Sequence, residues 1–358
     1  MKIINIFLDH QNQHLKQKLD NYHQILNIHD LEIINITNKY YNINNLNLVN
    51  ASANHKIVGL NKYNYFAIQK LIKTIKECKA DIILAYDKKS ALLSKYINKK
   101  LSVNIPIITI CEEYINNDII GSHSLIISVK KLKKPALEQG QKPHTIYHIP
   151  NITNHKKPLI KYKKYYKTPI IGFIGNLNNN KNLTILIESL ATLKERSIIL
   201  KLKIAGIGKQ KQLIEDLVIE KNLEKQVKFL GWVKKKESFF SNIDLCYFGS
   251  YQEYCTLPLI EAINYAKPII AMQNAATEEI IQNQHSGIII PTNNSKILAE
   301  ALVKLSTDQK SAKEYSNNAF KDINKKFNPQ IISEKLINCL NESWLKNKEE
   351  HRSSQNIA

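Results

Sequence analysis

Arginine is nearly missing from this chain: of 51 lysines and arginines, only Arg196 and Arg352 are arginine. Base reading in nucleic acids leans on the bidentate guanidinium fork, which lysine lacks, so no nucleic-acid partner is expected. Cysteine is scarce too. Cys78, Cys111, Cys246, Cys255 and Cys339 are odd in number, and no two form a C-x-x-C. That argues against a disulfide framework or a zinc site and fits a reducing cytosol. No apolar run approaches the ~18 residues of a membrane-spanning helix. The opening MKIINIFLDH carries one lysine. Its apolar stretch is shorter than the ~7–15 residues of a signal h-region, so it reads as a first strand.

What is present is a globular composition. The 358 residues are 43% hydrophobic and 23% charged, enough apolar side chain for a core and enough length for two domains. The net charge of +20 suits nucleic acid, an anionic membrane surface or a phosphorylated ligand. Asn, Ile and Lys crowd the chain, and all three have A/T-rich codons. Such a bias accounts for much of the charge without any partner.

Strand-like and helix-like segments alternate along the first half. Strands are expected at 2–8, 31–37, 81–85, 105–111, 124–129 and 145–149, with helices at 11–26, 65–79 and 88–99 and a long Asn-rich loop at 38–55. Residues 153–167 are basic, tyrosine-rich and unpatterned, and read as a linker. A second alternation follows, with strands at 169–174, 200–205, 227–230, 244–248, 268–271 and 287–290, then helices alone. The expected fold class is α/β: two Rossmann-like domains facing a central cleft at the carboxyl ends of their strands. Their bounds are 1–152 and 168–328. A helix at 329–350 crosses back to the first domain, and a disordered tail fills 351–358.

Two segments carry candidate chemistry. In IIGFIGNLNNNKNL a strand ends at Ile174, Gly175 and a polar loop follow, and a helix starts near Lys181. Glycine lets backbone approach a ligand, the helix start offers free N–H groups to a phosphate, and Lys181 adds a charge. The loop matches neither GxGxxG nor GxxxxGK[ST], so a nicotinamide or P-loop reading is weak. In GSYQEYCTLPLIEA, Glu253 lies in a loop before a helix whose first turn holds Pro258, and Glu261 falls within that helix. The N–H groups of Thr256 and Leu257 face the same cleft as Glu253. A carboxylate can bind sugar hydroxyls while helix N–H groups hold a diphosphate. Taken alone, an E-x₇-E is as well explained by two solvated acids.

The order of these features resembles the retaining glycosyltransferases of family 4, which have a GT-B fold. Gly175-Asn176-Leu177 followed by Lys181-Asn182 looks like that family's phosphate turn. Lys203 to Gly208 and Val227 to Gly231 are similar to its paired strand signature. Ser250-Tyr251-Gln252-Glu253, through Glu261-Ala262 to Lys267-Pro268-Ile269-Ile270-Ala271, looks like its S-x-x-E…EA…G-x-P-V-I-A block. Glu279-Ile280-Ile281 then Gly287 resembles the next strand turn. The matches span 172–291; the first half agrees in layout only.

The resemblance implies transfer of a sugar from a nucleotide-sugar donor to a glycan or lipid-linked acceptor, with retention and with no metal or other cofactor. It makes Glu253 and Lys181 catalytic. Glu253 contacts the donor sugar near the reacting carbon, and Lys181 neutralises the departing diphosphate. Gly175, Asn176, Lys181, Thr256, Leu257 and Glu261 bind the donor, Glu261 through the ribose hydroxyls. Asn176 stands where the family has an arginine, and Cys111 near where it has a first-domain histidine. His123 reads as structural. A related epimerase, or a non-catalytic protein of the same fold that binds an anionic polymer, are the alternatives. The lysine tracts at 130–134 and 156–167, beside Tyr147, Tyr162, Tyr165 and Tyr166, suit an anionic membrane surface. Their competing reading is a solvated linker. A cytoplasmic enzyme, peripheral on the inner membrane face, is the location expected.

Overall fold

The computed structural model describes residues 1–8, 31–38, 52–101, 104–111, 119–151, 168–178, 182–250, 256–291 and 294–355, with positions 19, 22, 23, 25, 26, 29, 115, 158 and 162 between them. It divides into two units, Met1–Ile152 with Pro329–Ala358, and Thr153–Asn328.

The first unit runs β1 (Lys2–Phe7), β2 (Glu32–Asn38), β3 (Ala53–Ile57), α1 (Tyr65–Cys78), β4 (Ile82–Ala85), α2 (Lys88–Asn98), β5 (Ile107–Cys111), β6 (Ser124–Ile127), α3 (Lys133–Glu138) and β7 (Ile146–His148). The second runs β8 (Ile170–Ile174), α4 (Leu183–Glu195), β9 (Lys201–Ala205), α5 (Lys211–Glu220), β10 (Val227–Gly231), α6 (Lys236–Ser241), β11 (Leu245–Phe248), α7 (Leu257–Asn264), β12 (Ile269–Met272), α8 (Ala275–Ile280), β13 (Ile288–Ile290), α9 (Ser295–Thr307) and α10 (Gln309–Lys326). A final helix, α11 (Pro329–Gln355), belongs to the first unit.

Both sheets are parallel throughout, in the orders β3-β2-β1-β4-β5-β6-β7 and β10-β9-β8-β11-β12-β13. A parallel sheet is covered on both faces, which is why its strands are unbroken isoleucine-rich runs. In the first unit Ile3 and Phe7 point into one cluster with Ile33, Leu84 and Ile108, while Ile4 and Ile6 point into another with Ile34, Ile36 and Ile83. The helix α11 closes the former: Ile332, Leu336, Cys339 and Leu340 are buried there. Polar contacts fix its register, with Trp344 Nε1 donating to Asp81 (3.1 Å), Tyr147 donating to Glu342 (2.7 Å), and Ser124 and Ser343 hydroxyls 2.6 Å apart.

One polar island lies within that cluster. Asn5 of β1 and Asn35 of β2 are fully buried and bonded to each other at 3.1 Å. Both reach Nε2 of buried His23, at 3.0 and 3.1 Å, and Asn35 continues to Asn54 of β3. The other ring nitrogen of His23 has no partner among the described residues. Burial lowers the His23 pKa to about 4, the hydrogen bond to Asn35 only partly opposing it.

Two expectations are corrected. Residues 53–57 form β3, an edge strand, instead of continuing a loop; its exposure alternates and its only fully buried residue is Ile57, so no apolar run marks it. Helix α11 continues through Gln355 where a disordered tail was expected, since no glycine or proline interrupts it after Pro329. Within the stretch read as a linker, Tyr162 packs against the core of the second unit, with its hydroxyl 3.5 Å from the Gln309 carbonyl. The rest of 153–167 except Pro158 lies outside the described residues, as does most of the expected 11–26 helix.

Candidate functional site

In the second unit, successive crossovers run outward from β8 in one direction and from β11 in the other. The loops leaving these two neighbouring strands therefore part company, and a doubly wound sheet binds its ligands in the crevice this creates. Every site residue expected from the sequence falls on those two loops or the helices they enter. Gly175, Asn176 and Lys181 follow β8; Glu253, Thr256, Leu257 and Glu261 follow β11. Lys181 and Glu253 lie outside the described residues, as do Tyr254 and Cys255; the other five are placed.

The loop after β8 is held by backbone. Gly175 has φ +154°, and its N–H donates to the Ala205 carbonyl (3.0 Å). Leu177 N–H donates to Ile207 (2.9 Å), so β8 and β9 stay paired beyond their assigned ends. Asn176, half-buried, accepts from the Asn178 N–H at 3.0 Å and tightens the turn. The close approach needs a bare α-carbon opposite: a Cβ at Gly206 would stand 1.9 Å from the Gly175 carbonyl oxygen. Gly206→Ala is expected to cost about 1–3 kcal/mol through forced displacement of this loop. Thermal unfolding checks this, and an unchanged midpoint would mean that the loop shifts freely.

Asn182, with φ 45°, caps the start of α4 without a side-chain hydrogen bond. Its Nδ2 is buried and has no partner among the described residues. Its carbonyl accepts from the Tyr247 hydroxyl (3.2 Å), which ties the β8 loop to β11. Burial raises the Tyr247 pKa well above its ordinary value, so this hydroxyl remains a donor.

The loop after β11 is pinned at its start, where the Asn274 side chain donates to the carbonyl of buried Ser250. Asn274 also caps α8 reciprocally with Thr277. Helix α7 opens at Leu257 with Pro258 in its first turn, and Thr256 gives it no side-chain cap. Thr256 and Leu257 are both buried, so what they offer a ligand is backbone. The side chains of Asn64, Asp87, Asn274, Asn294 and Asp308 cap α1, α2, α8, α9 and α10, while α3, α5 and α6, like α4 and α7, have no side-chain cap. The starts of α4 and α7 thus keep N–H groups without a side-chain cap and a positive dipole end beside the switch point, a setting that favours an anion.

Glu261 lies one turn into α7 with its side chain 17% exposed, and its Oε2 pairs with Lys236 Nζ at 2.7 Å. Lys236 opens α6, after β10. The pair fixes where the carboxylate points. Sequence reasoning missed Lys236, whose only signal was a K-K-K-E run at a helix start. Cys246, buried beneath α7, is no nucleophile: burial pushes its thiol up to about 12. Cys111 is buried, and His123 accepts from the Ile107 N–H through Nδ1 (3.1 Å), which gives it a structural task. Among the described residues no three His, Cys, Asp or Glu side chains gather to hold a metal.

Residues 154–322 match the family model of glycosyl transferases group 1. Poly(ribitol-phosphate) alpha-N-acetylglucosaminyltransferase of Staphylococcus aureus is 22% identical over 95% of this chain and 74% of its own length. A Campylobacter jejuni alpha-1,4-N-acetyl-D-galactosaminyltransferase, whose name specifies a diNAcBac-PP-undecaprenol-linked acceptor, is 28% identical over 51% of this chain. The match spans about half of that enzyme, 48% of its length. Among solved structures, Anabaena HepE in complex with UDP and glucose superposes with a TM-score of 0.79 at 15% identity, over 95% of this chain and 99% of that one. The two α/β units are Rossmann-like, and the fold is that of GT-B proteins.

Proposed function

We propose that this group 1 glycosyltransferase moves a hexose-type sugar from its nucleotide-sugar donor to a glycan or lipid-linked acceptor with retention, as glycosyltransferase family 4 does. The observation that supports this reading is that the five described residues the resemblance assigns to the donor lie in the turn after β8 or at the start and first turn of α7, which follows β11, on either side of the switch point. Glu253 contacts the sugar, Glu261 the ribose, and Lys181 the diphosphate, with Gly175 and Asn176 shaping the turn. As the bond from the sugar to the diphosphate breaks, charge grows on the leaving phosphate oxygen. Lys181 and the uncapped starts of α4 and α7, including the N–H groups near Thr256 and Leu257, stabilise it without a metal. The acceptor class follows the relatives, one named for a polyol-phosphate polymer and one for an undecaprenol-linked glycan. An enzyme with such an acceptor works at the cytoplasmic face of a membrane.

The test is release of free nucleoside diphosphate from UDP-sugars and other nucleotide-sugars, with and without acceptor extracts. Acceptor-dependent release supports transfer. Isomerised donor without release would mean an epimerase, and binding without either would mean a non-catalytic protein.

Glu261→Gln is expected to weaken nucleoside diphosphate binding by about 1.5–3 kcal/mol, the worth of a charged hydrogen bond. Lys236→Gln should act in the same direction but more weakly, since it only frees the carboxylate to reorient. Calorimetric titration of both variants checks this; equal affinities throughout would leave Glu261 as a helix residue alone.

A further inference from the structure

Among the described residues, the three most exposed large hydrophobic side chains lie within four positions: Tyr63 at 85%, Tyr65 at 67% and Phe66 at 83%. Such side chains are rarely left in water together without a partner. Tyr63 lies in the β3–α1 connection and Tyr65 and Phe66 open α1, at the carboxyl edge of the first sheet, where a doubly wound fold meets its ligands.

The loop is built to hold them out. Asn61 bridges Gly59 and Tyr63, donating to one carbonyl and accepting from the other's N–H, both at 2.9 Å. Asn64 caps α1 by accepting from the Ala67 N–H (3.1 Å). Leu60, Ala67 and Ile68 anchor the segment in the core beneath. Tyr65 and Phe66 meet edge to face at 80°, and Lys62 Nζ sits 5.0 Å from the Tyr63 ring centroid.

Positive charge dominates around them, although Lys73 Nζ lies 3.8 Å from Glu77. From Ser52 to Ala80 there are six lysines, at positions 56, 62, 70, 73, 76 and 79, against a single acid, Glu77. Lys70 and Lys73 follow Phe66 at helical spacing on the exposed face of α1. The tracts first suspected fit less well, because Tyr147 and Tyr162 pack against the cores of their own units.

We propose that the β3–α1 loop and the outer face of α1 dock the protein on an anionic lipid surface. Tyr63, Tyr65 and Phe66 enter the headgroup layer, and Lys62, Lys70 and Lys73 meet lipid phosphates. This rests on the reading of a membrane-borne acceptor. Among the described residues no helix is long and apolar enough to cross a membrane, so the contact is a surface one.

The test is sedimentation of the full chain with phosphatidylcholine vesicles, with and without phosphatidylglycerol, at low and high salt. The protein should bind the anionic vesicles and be released by salt. Combined Tyr63→Ser, Tyr65→Ser and Phe66→Ser changes should weaken partitioning about tenfold or more, with an unchanged unfolding midpoint. Lys62→Gln, Lys70→Gln and Lys73→Gln together should abolish the preference for phosphatidylglycerol. As a check independent of loss, Phe66→Trp should add an emission that brominated lipids quench. Absent binding, binding that the serine changes leave intact, or added emission from the Phe66→Trp variant that brominated lipids leave unquenched would each overturn the docking surface. Acceptor-dependent nucleotide release with a detergent-dispersed acceptor reports on the transferase reading separately, so failure of one does not count as failure of the other.

Discussion

Lys181→Ala is expected to lower kcat/KM by about 10²–10³-fold, the usual loss when one preorganised donor to a developing anion is removed. In the sequence the lysine comes between Asn178 and Asn182, just ahead of α4. That helix starts with no side-chain cap, and Asn176 brings no charge to the turn, so in the proposed reaction the departing diphosphate would depend on Lys181 and on helix N–H groups. The effect should fall on turnover and not on folding, and Lys181→Arg should restore part of it. Steady-state nucleotide release measured beside thermal unfolding separates the two. Turnover equal to that of the unaltered enzyme would remove Lys181 from the phosphate site.

Stability should fall by about 3 kcal/mol between pH 6.5 and pH 4 on account of one buried side chain, His23. In the unfolded chain this histidine takes up a proton near its ordinary value of 6.5. In the folded chain it does so only at about 4. The unfolded state therefore binds more protons across that window. The contribution is complete above pH 6.5 and is lost as the pH falls to about 4. The geometry gives the reason: Nε2 is engaged by Asn5 and Asn35, while the second nitrogen has no partner among the described residues to accept a proton's hydrogen bond. Denaturant unfolding of the unaltered chain and His23→Gln over this range isolates the term from the carboxylates. The variant's profile should be flatter; parallel profiles would assign the acid sensitivity elsewhere.

Strands buried on both faces were the most legible part of the fold, because continuous isoleucine runs have few other uses. β3 escaped notice since an edge strand with Asn54 and His55 exposes alternate residues and looks like the Asn-rich stretch before it. The site was legible along the chain and illegible across it. The turn at Gly175 and the start of α7 are local patterns that read directly. The Lys236–Glu261 pair joins residues 25 positions apart, and nothing in a lysine-rich segment distinguishes that lysine from its neighbours. The polar island around His23 was equally hidden, for its partners arrive from three strands. Tyr65 and Phe66 fell at the start of the expected 65–79 helix, and nothing in the sequence marked them or Tyr63 as exposed together.

The return of α11 to the first unit sets a timetable for biosynthesis. Residues 1–152 leave the ribosome first, yet one face of their sheet lacks Ile332, Leu336, Cys339 and Leu340 until the chain beyond Pro329 has emerged. The second unit, continuous from Thr153 to Asn328, is complete before then. At roughly 5–20 residues per second, the intervening stretch takes about 10–35 s to make. During that interval the nascent first sheet lacks the α11 side chains on one face, where Leu19, Tyr22, Ile25 and Leu26 supply only part of the cluster. The unit made first is thus the one finished last, and a ribosome that stalls before Pro329 releases a sound second unit attached to an unfinished first.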